Sequence, residues 1–198
     1  MFTVLGTLAA AALSQTSFAP DAALFPKGFT CAAALEAERS IGANTTYEGP
    51  YDPKRGALVF HRKYRGDDAS VIYMCGGSLV GHRLIIMRFR TLQDTQLAFD
   101  RHRAALVEQL GKACWDPDAL SAAQLARLPN HDLSHLGWFR YRIEWNARPG
   151  QNATLTMSTK QLQVTLTVDS LATSAPIGAD NLIGEIYNMS KCAKGSGP

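Results

Sequence analysis

Two histidines and an aspartate lie within five residues of each other in His131-Asp132-Leu133-Ser134-His135. The i, i+4 spacing would place both imidazoles on one side of a helix, where they could hold a metal ion while Asp132 activates a water molecule. Pro129 precedes the segment and Gly137 follows it, which leaves barely one helical turn. Solvated loop histidines are therefore the main expectation, and a metal-dependent hydrolase using His131, Asp132 and His135 is the alternative.

A second candidate site is a surface of arginine, glutamine and threonine side chains. Arg140 and Arg142 alternate with apolar residues as in a strand with one wet face, and a later strand carries a similar polar set. Arginines on a rigid, hydroxyl-rich sheet can bind a carboxylate, a phosphate or a protein edge. An ordinary wet face is the alternative interpretation, because threonine is good strand material. The predicted binding surface consists of Arg140, Arg142, Gln163, Thr165 and Thr167.

The string Cys75-Gly76-Gly77-Ser78-Leu79 resembles the CGGSL stretch near the start of trypsin-like serine proteases. That resemblance would imply a pair of β-barrels and a catalytic serine. The Ala-Ala-His-Cys and Gly-Asp-Ser-Gly-Gly segments of that family do not occur in the sequence, so no catalytic serine can be placed. The string therefore predicts a glycine-rich hairpin turn beside a cysteine.

Four widely spaced cysteines, without any CxxC pair, predict two disulfides rather than a zinc site. The long helix predicted after Thr91 should bring its end back to the beginning of the preceding strand. We therefore predict a Cys75–Cys114 disulfide. The remaining pair, Cys31 and Cys192, would tie the two ends of the domain together.

Three N-glycosylation sequons begin at Asn44, Asn152 and Asn188. They would be used only in a eukaryotic secretory pathway. Because asparagine also favours turns for backbone reasons, their placement by chance is the alternative.

Helical periodicity and end signals predict three helices. The first runs from Thr30 to Ile41, and the clearest runs from Thr91 to Leu110, where Thr91 and Asp94 have near capping-box spacing and Gly111 follows. A short third helix is predicted over Pro117–Leu128.

Alternating apolar and polar residues predict six strands, at 58–64, 71–75, 79–89, 139–145, 154–158 and 162–169. Residues between the first helix and the first strand are rich in glycine and proline and predict a turn-rich connection. Hairpin-linked strands combined with helices indicate an α+β fold, with an antiparallel sheet of about six strands and one long and two short helices on one face.

The N-terminal residues follow the pattern of a secretory signal peptide. Residues 2–13 are almost wholly apolar, and a small-x-small end at Ser17-Phe18-Ala19 follows. We predict a signal peptide over 1–19, with a cut after Ala22 as the alternative, then a single domain over 23–194 and a flexible tail over 195–198. The protein is then secreted or periplasmic.

Composition narrows the function classes. The formal net charge is only +3, with 46% hydrophobic and 19% charged residues, so no nucleic-acid partner is indicated. No apolar run reaches the length of a transmembrane helix. We predict an exported, disulfide-stabilised binding module without a cofactor, rather than an enzyme. An inhibitor-like or immunity-like envelope protein is an example, and the expected partner is a protein or a small anionic ligand.

Overall fold

The fold is built on a seven-stranded antiparallel sheet. A computed structural model describes residues 18–48, 56–116, 141–148 and 151–170. The strand order in the sheet is β1-β2-β3-β4-β7-β6-β5. In chain order, the elements of the described residues are α1 Cys31–Ser40, β1 Asn44–Glu48, β2 Ala57–Tyr64, β3 Asp67–Gly76, β4 Leu79–Arg88, α2 Leu92–Leu110, β5 Arg142–Arg148, β6 Gln151–Ser158 and β7 Gln163–Asp169.

All six predicted strands are present, as β2 to β7, and the α+β class is confirmed. The prediction of an irregular connection after α1 is wrong in its first part, because β1 pairs antiparallel with β2 from Asn44 to Glu48. Its sequence, Asn-Thr-Thr-Tyr-Glu, lacks the apolar alternation that marks a half-buried strand. The strand lies at the edge of the sheet, where one pairing partner and β-branched threonines suffice.

The turn between β2 and β3 is shorter than the sequence predicts. Arg65 and Gly66 have φ angles of 49° and 92°. Two consecutive residues with positive φ form the tight hairpin loop whose twist matches that of the flanking strands. Asp67 and Asp68, which lie between the predicted strands 58–64 and 71–75, therefore belong to β3 and extend it.

The two described helices begin and end where their capping residues predict. The Thr30 hydroxyl accepts the Ala33 N–H at 3.1 Å at the start of α1. At the start of α2, Thr91 accepts the Asp94 N–H at 3.1 Å and donates its hydroxyl hydrogen to the Asp94 carboxylate at 2.7 Å. The predicted third helix, 117–128, lies outside the described residues, as does the predicted tail.

Both described helices pack on one side of the sheet, which we call the covered face. Helix α1 lies against β2, β3 and β4, and α2 lies against β5, β6 and β7. Burying each large apolar side chain there stabilises the fold by about 1.5 to 3 kcal/mol. The fully buried side chains of this face include Leu58, Phe60, Ile85, Met87, Leu106, Ile143, Trp145 and Leu155.

The covered face also contains a buried ionic cluster. The side chain of Glu38, on α1, is fully buried and accepts hydrogen bonds from Arg62 Nε at 2.6 Å and from the Tyr73 hydroxyl at 2.7 Å. Burial raises the pKa of Tyr73 well above its ordinary value, so the phenol stays protonated and donates. These contacts tie α1 to β2 and β3 by charge as well as by packing.

Arg83 is the second buried charge of the covered face, with no measurable exposure. Its Nη2 donates to the backbone oxygens of Ala22 and Ala23 at 2.6 and 2.7 Å. The guanidinium carbon lies 5.6 Å from the ring centroid of Phe18 and 5.9 Å from that of Phe25. Carbonyl oxygens and ring faces therefore replace part of the water that this cation would otherwise bind, while Nε and Nη1 are buried without a hydrogen-bond partner among the described residues.

These contacts belong to what we call the N-terminal segment, residues 18–25. Besides Arg83, Arg62 donates to the Asp21 carboxylate at 2.6 Å and to the Pro20 carbonyl at 2.8 Å. Gln151, on β6, donates to the Phe25 carbonyl at 2.8 Å. The N-terminal segment is thus bound to three strands of the sheet.

The disulfide of the described residues joins Cys31 to Cys75, with 6.2 Å between their Cα atoms. Both predicted pairings, Cys75–Cys114 and Cys31–Cys192, are therefore wrong. The residues before α1 run beside the β3–β4 turn, where Cys31 N–H donates to Ser78 O at 2.9 Å. This backbone pairing holds Cys31 next to the end of β3. The only second pair left to the four cysteines is Cys114 with Cys192, and Cys192 lies outside the described residues.

Candidate functional site

The open face is the side of the sheet opposite the covered face, and both described helices lie on the other side. Antiparallel register places directly opposed residues of neighbouring strands on the same face. One row of opposed residues crosses all seven strands, a distance of about 29 Å at the usual strand spacing. It consists of Asn44, His61, Ser70, Ile86, Thr165, Thr156 and Arg142.

The structure brings four of the five predicted binding residues onto this face. Gln163, Thr165 and Thr167 alternate along β7 with buried apolar residues, and Gln163 Nε2 donates to the Thr165 hydroxyl at 2.8 Å. Arg142 opposes Thr156, which in turn opposes Thr165, so the arginine lies two strands from the threonine. Arg140 lies outside the described residues.

Arg142 is paired with an acid on the same strand, Glu144. Its Nε donates to Glu144 Oε1. Glu144 is only 6% exposed, and its backbone bridges to Trp115 along the outer edge of β5. The carboxylate therefore fixes the position of the guanidinium, which remains about one third exposed.

A strip of aliphatic side chains crosses the middle of the open face, and the sequence analysis missed it. Val59, Ile72 and Leu84 oppose one another across β2, β3 and β4, and all three are half-buried. Met74, further along β3, is 47% exposed. Alternation within each strand was visible in the sequence, but the strip depends on the register between strands.

His82 and Asp169 form a hydrogen-bonded pair on the open face, with 2.5 Å between Nδ1 and the carboxylate oxygen. The two residues are 87 positions apart in the sequence and meet only through the pairing of β4 with β7. The carboxylate orients the ring, and the histidine side chain is 42% exposed. Such a pair could act as a base or as one metal ligand, yet among the described residues no group of three candidate ligands occurs.

A groove of about 470 Å³ opens at the β1 end of the open face. Polar and cationic side chains dominate its lining, and the half-buried Ile86 contributes apolar surface. His61 Nδ1 lies 3.0 Å from the Ser70 hydroxyl oxygen within it. The lining residues are Asn44, His61, Arg62, Lys63, Asp68, Ala69, Ser70, Ile86 and Arg88.

His102 belongs to the covered face and not to this site. It is 2% exposed, stacks on Tyr64 and places Nε2 at 2.7 Å from the Asp67 carboxylate. Burial lowers the pKa of His102 although Asp67 acts in the opposite direction, so the neutral ring is favoured.

Both sequon asparagines in the described residues lie on the open face. Asn44 is exposed at the rim of the groove, and Asn152 opposes Asp169 near the other end of β7. Glycans at these positions would project from the same surface as the predicted binding residues. Asn188 lies outside the described residues.

The alternative metal site cannot be placed, because His131, Asp132 and His135 all lie outside the described residues. None of the described helices combines the length and the apolar character needed to cross a membrane. No protein-family model matches the chain, and neither a curated protein nor a solved structure is detectably similar to it. The function is therefore argued from the geometry alone.

Proposed function

We propose that this protein is an exported, disulfide-stabilised binding module that engages a protein or a small anionic ligand through the open face, as an inhibitor-like or immunity-like protein would. The observation that carries the proposal is the contrast between the two sides of one sheet. One side is closed by helices, and the other presents a row of opposed side chains across seven strands.

The chemistry of the open face supports binding rather than catalysis. Threonine side chains on a rigid sheet offer donors and acceptors at fixed spacing, with little conformational entropy to lose on association, and Gln163 is restrained by its hydrogen bond to Thr165. Arg142, held by Glu144, offers a cation in a defined position. The half-buried aliphatic strip adds apolar area next to the polar rows, which is the combination found in protein-binding surfaces.

Export is supported by the Cys31–Cys75 disulfide, since such bonds persist mainly in oxidising compartments. The disulfide fixes the start of α1 to the end of β3. A small domain with this constraint keeps its sheet face rigid outside the cell.

The test is partner capture from an envelope or secretome extract by immobilised protein. Arg140→Ala with Arg142→Ala, and separately Thr165→Tyr, should abolish capture of the partner identified by mass spectrometry, because one removes the cations and the other places a ring across the central row. The matched control is Arg90→Ala with Lys112→Ala, which removes the same charge from exposed positions outside the row. Unchanged capture by both open-face variants would overturn the assignment of the surface.

A further inference from the structure

We infer that the groove at the β1 end of the open face is a binding site for the oxyanion group of a small organic anion, with Arg88 and Lys63 as its cationic ligands. This inference deepens the proposed function, because it names a ligand class and a position on the same face, and it rests on that face being accessible.

The volume and the lining define the kind of ligand. About 470 Å³ lies within the range of small-molecule sites and exceeds what an inorganic anion alone would fill. Ile86 offers apolar surface for a carbon skeleton, while Asn44 and Ser70 offer hydrogen-bonding groups for its polar substituents. The ligand therefore combines a charged group with an organic part.

The three cations of the groove are not equally available. The guanidinium of Arg62 is occupied by Glu38, Asp21 and two backbone carbonyls. The side chain of Arg88 is exposed, and its guanidinium makes no hydrogen bond or ion pair within the described part of the chain. Its planar fork of donors suits a carboxylate or a phosphate.

Lys63 is paired with Asp68 at 2.7 Å, but both side chains are largely exposed, at 64% and 85%. An exposed pair of this kind contributes little stability, so an incoming oxyanion can displace the aspartate. Asp68 lies on β3, between Lys63 on β2 and Arg88 on β4. It opposes Lys63 directly, and its neighbour Ala69 opposes Met87, the neighbour of Arg88. Asp68 is thus a built-in competitor for the ligand.

The two inner groups of the groove are already positioned. The contact between His61 Nδ1 and the Ser70 hydroxyl orients the imidazole, leaving its other ring nitrogen available to the ligand. Both residues belong to the row that ends at Arg142. The groove adjoins the predicted binding surface where β4 pairs with β7, because Ile86 opposes Thr165 and Arg88 opposes Gln163.

The experiment is a two-dimensional ¹H–¹⁵N NMR titration of the full mature chain with glucose 6-phosphate, citrate, inorganic phosphate and, as a neutral control, glucose. We expect saturable shifts of the His61, Ser70 and Arg88 amides with the organic phosphate or with citrate, at a Kd below about 10 mM. Tighter binding of glucose 6-phosphate would identify the oxyanion as a phosphate, and tighter binding of citrate would identify it as a carboxylate. Shifts with neither, or equal shifts with glucose, would overturn the inference.

Three variants make the assignment residue-specific. Arg88→Ala should weaken binding by about tenfold or more, because a charge-assisted hydrogen bond is lost. Asp68→Asn should strengthen it by roughly two- to fivefold, because the competing charge is removed. Arg90→Ala, an exposed arginine two residues away, should leave it unchanged. Weaker binding by Asp68→Asn, or unchanged binding by Arg88→Ala, contradicts the site even if partner capture through Arg142 succeeds.

Discussion

The covered and open faces of the sheet use polar residues in opposite ways. On the covered face, the side chains of Glu38, Arg62 and Arg83 are held by specific partners and are almost completely buried. On the open face, Arg88 and the β7 threonines are exposed or half-buried and contribute few contacts to the fold. The same alternation therefore encodes two surfaces, one that determines stability and one that is free to bind.

The largest effect should come from breaking the buried ionic cluster. Glu38→Ala leaves Arg62 and Tyr73 without their acceptor inside the protein, and we expect about 3 to 5 kcal/mol of lost stability in urea denaturation. Glu36→Ala, on an exposed position of the same helix, should change stability by no more than about 0.5 kcal/mol. Equal effects would show that Glu38 is not buried with its partners.

Removing the disulfide should be nearly as costly. Cys31→Ala with Cys75→Ala opens a link across 44 residues, for which we expect about 2 to 5 kcal/mol in equilibrium unfolding. Peptide mapping of the unreduced protein should give a linked Cys31–Cys75 peptide and a linked Cys114–Cys192 peptide. A Cys75–Cys114 link would contradict the fold around the β3–β4 turn.

The N-terminal segment separates the two predicted signal-peptide cuts. A chain that starts at Ala23 lacks the Asp21 and Pro20 contacts of Arg62, and it lacks the Ala22 carbonyl that binds Arg83. Compared with a chain that starts at Pro20, we expect it to be less stable by about 1 to 3 kcal/mol, measured by thermal unfolding. Equal melting temperatures would show that these residues add nothing to the covered face.

A pH-dependent effect should follow from His102. Burial lowers the pKa of His102 in the folded protein from the ordinary value of about 6.5. As the pH falls below that value, the unfolded chain therefore takes up the proton first, and the free energy of unfolding decreases. Urea denaturation between about pH 7 and pH 5 should show a smaller loss of stability for His102→Gln than for the wild type. Gln96→Ala, at an exposed position of the same helix that carries no titratable group, is the control and should keep the wild-type slope.

Local patterns predicted most of the fold. Period-two alternation located β2 to β7, and Thr30 and Thr91 marked the starts of both described helices. Such signals lie within a few residues of each other, so a single sequence contains them. The edge strand β1 escaped because it has no buried alternation of its own.

Contacts that depend on strand order were not predictable in this way. The Cys31–Cys75 bond requires the chain before α1 to run beside the β3–β4 turn, and the His82–Asp169 pair requires β4 to lie next to β7. For the candidate site, the sequence predicted that Thr165 and Thr167 lie on the same face of β7. The alignment of Thr165 with Arg142 at one end of a row and Asn44 at the other was not, because it depends on register across seven strands.

The most direct test of the account is methionine oxidation by dilute hydrogen peroxide, quantified by peptide mass spectrometry on the folded protein. Met74 on the open face is 47% exposed, whereas Met87 and Met157 on the covered face are 0% and 3% exposed. We expect rapid oxidation of Met74 and strong protection of Met87 and Met157. Protection of Met74 equal to that of Met87 would show that the open face is covered and would contradict its role as the binding surface.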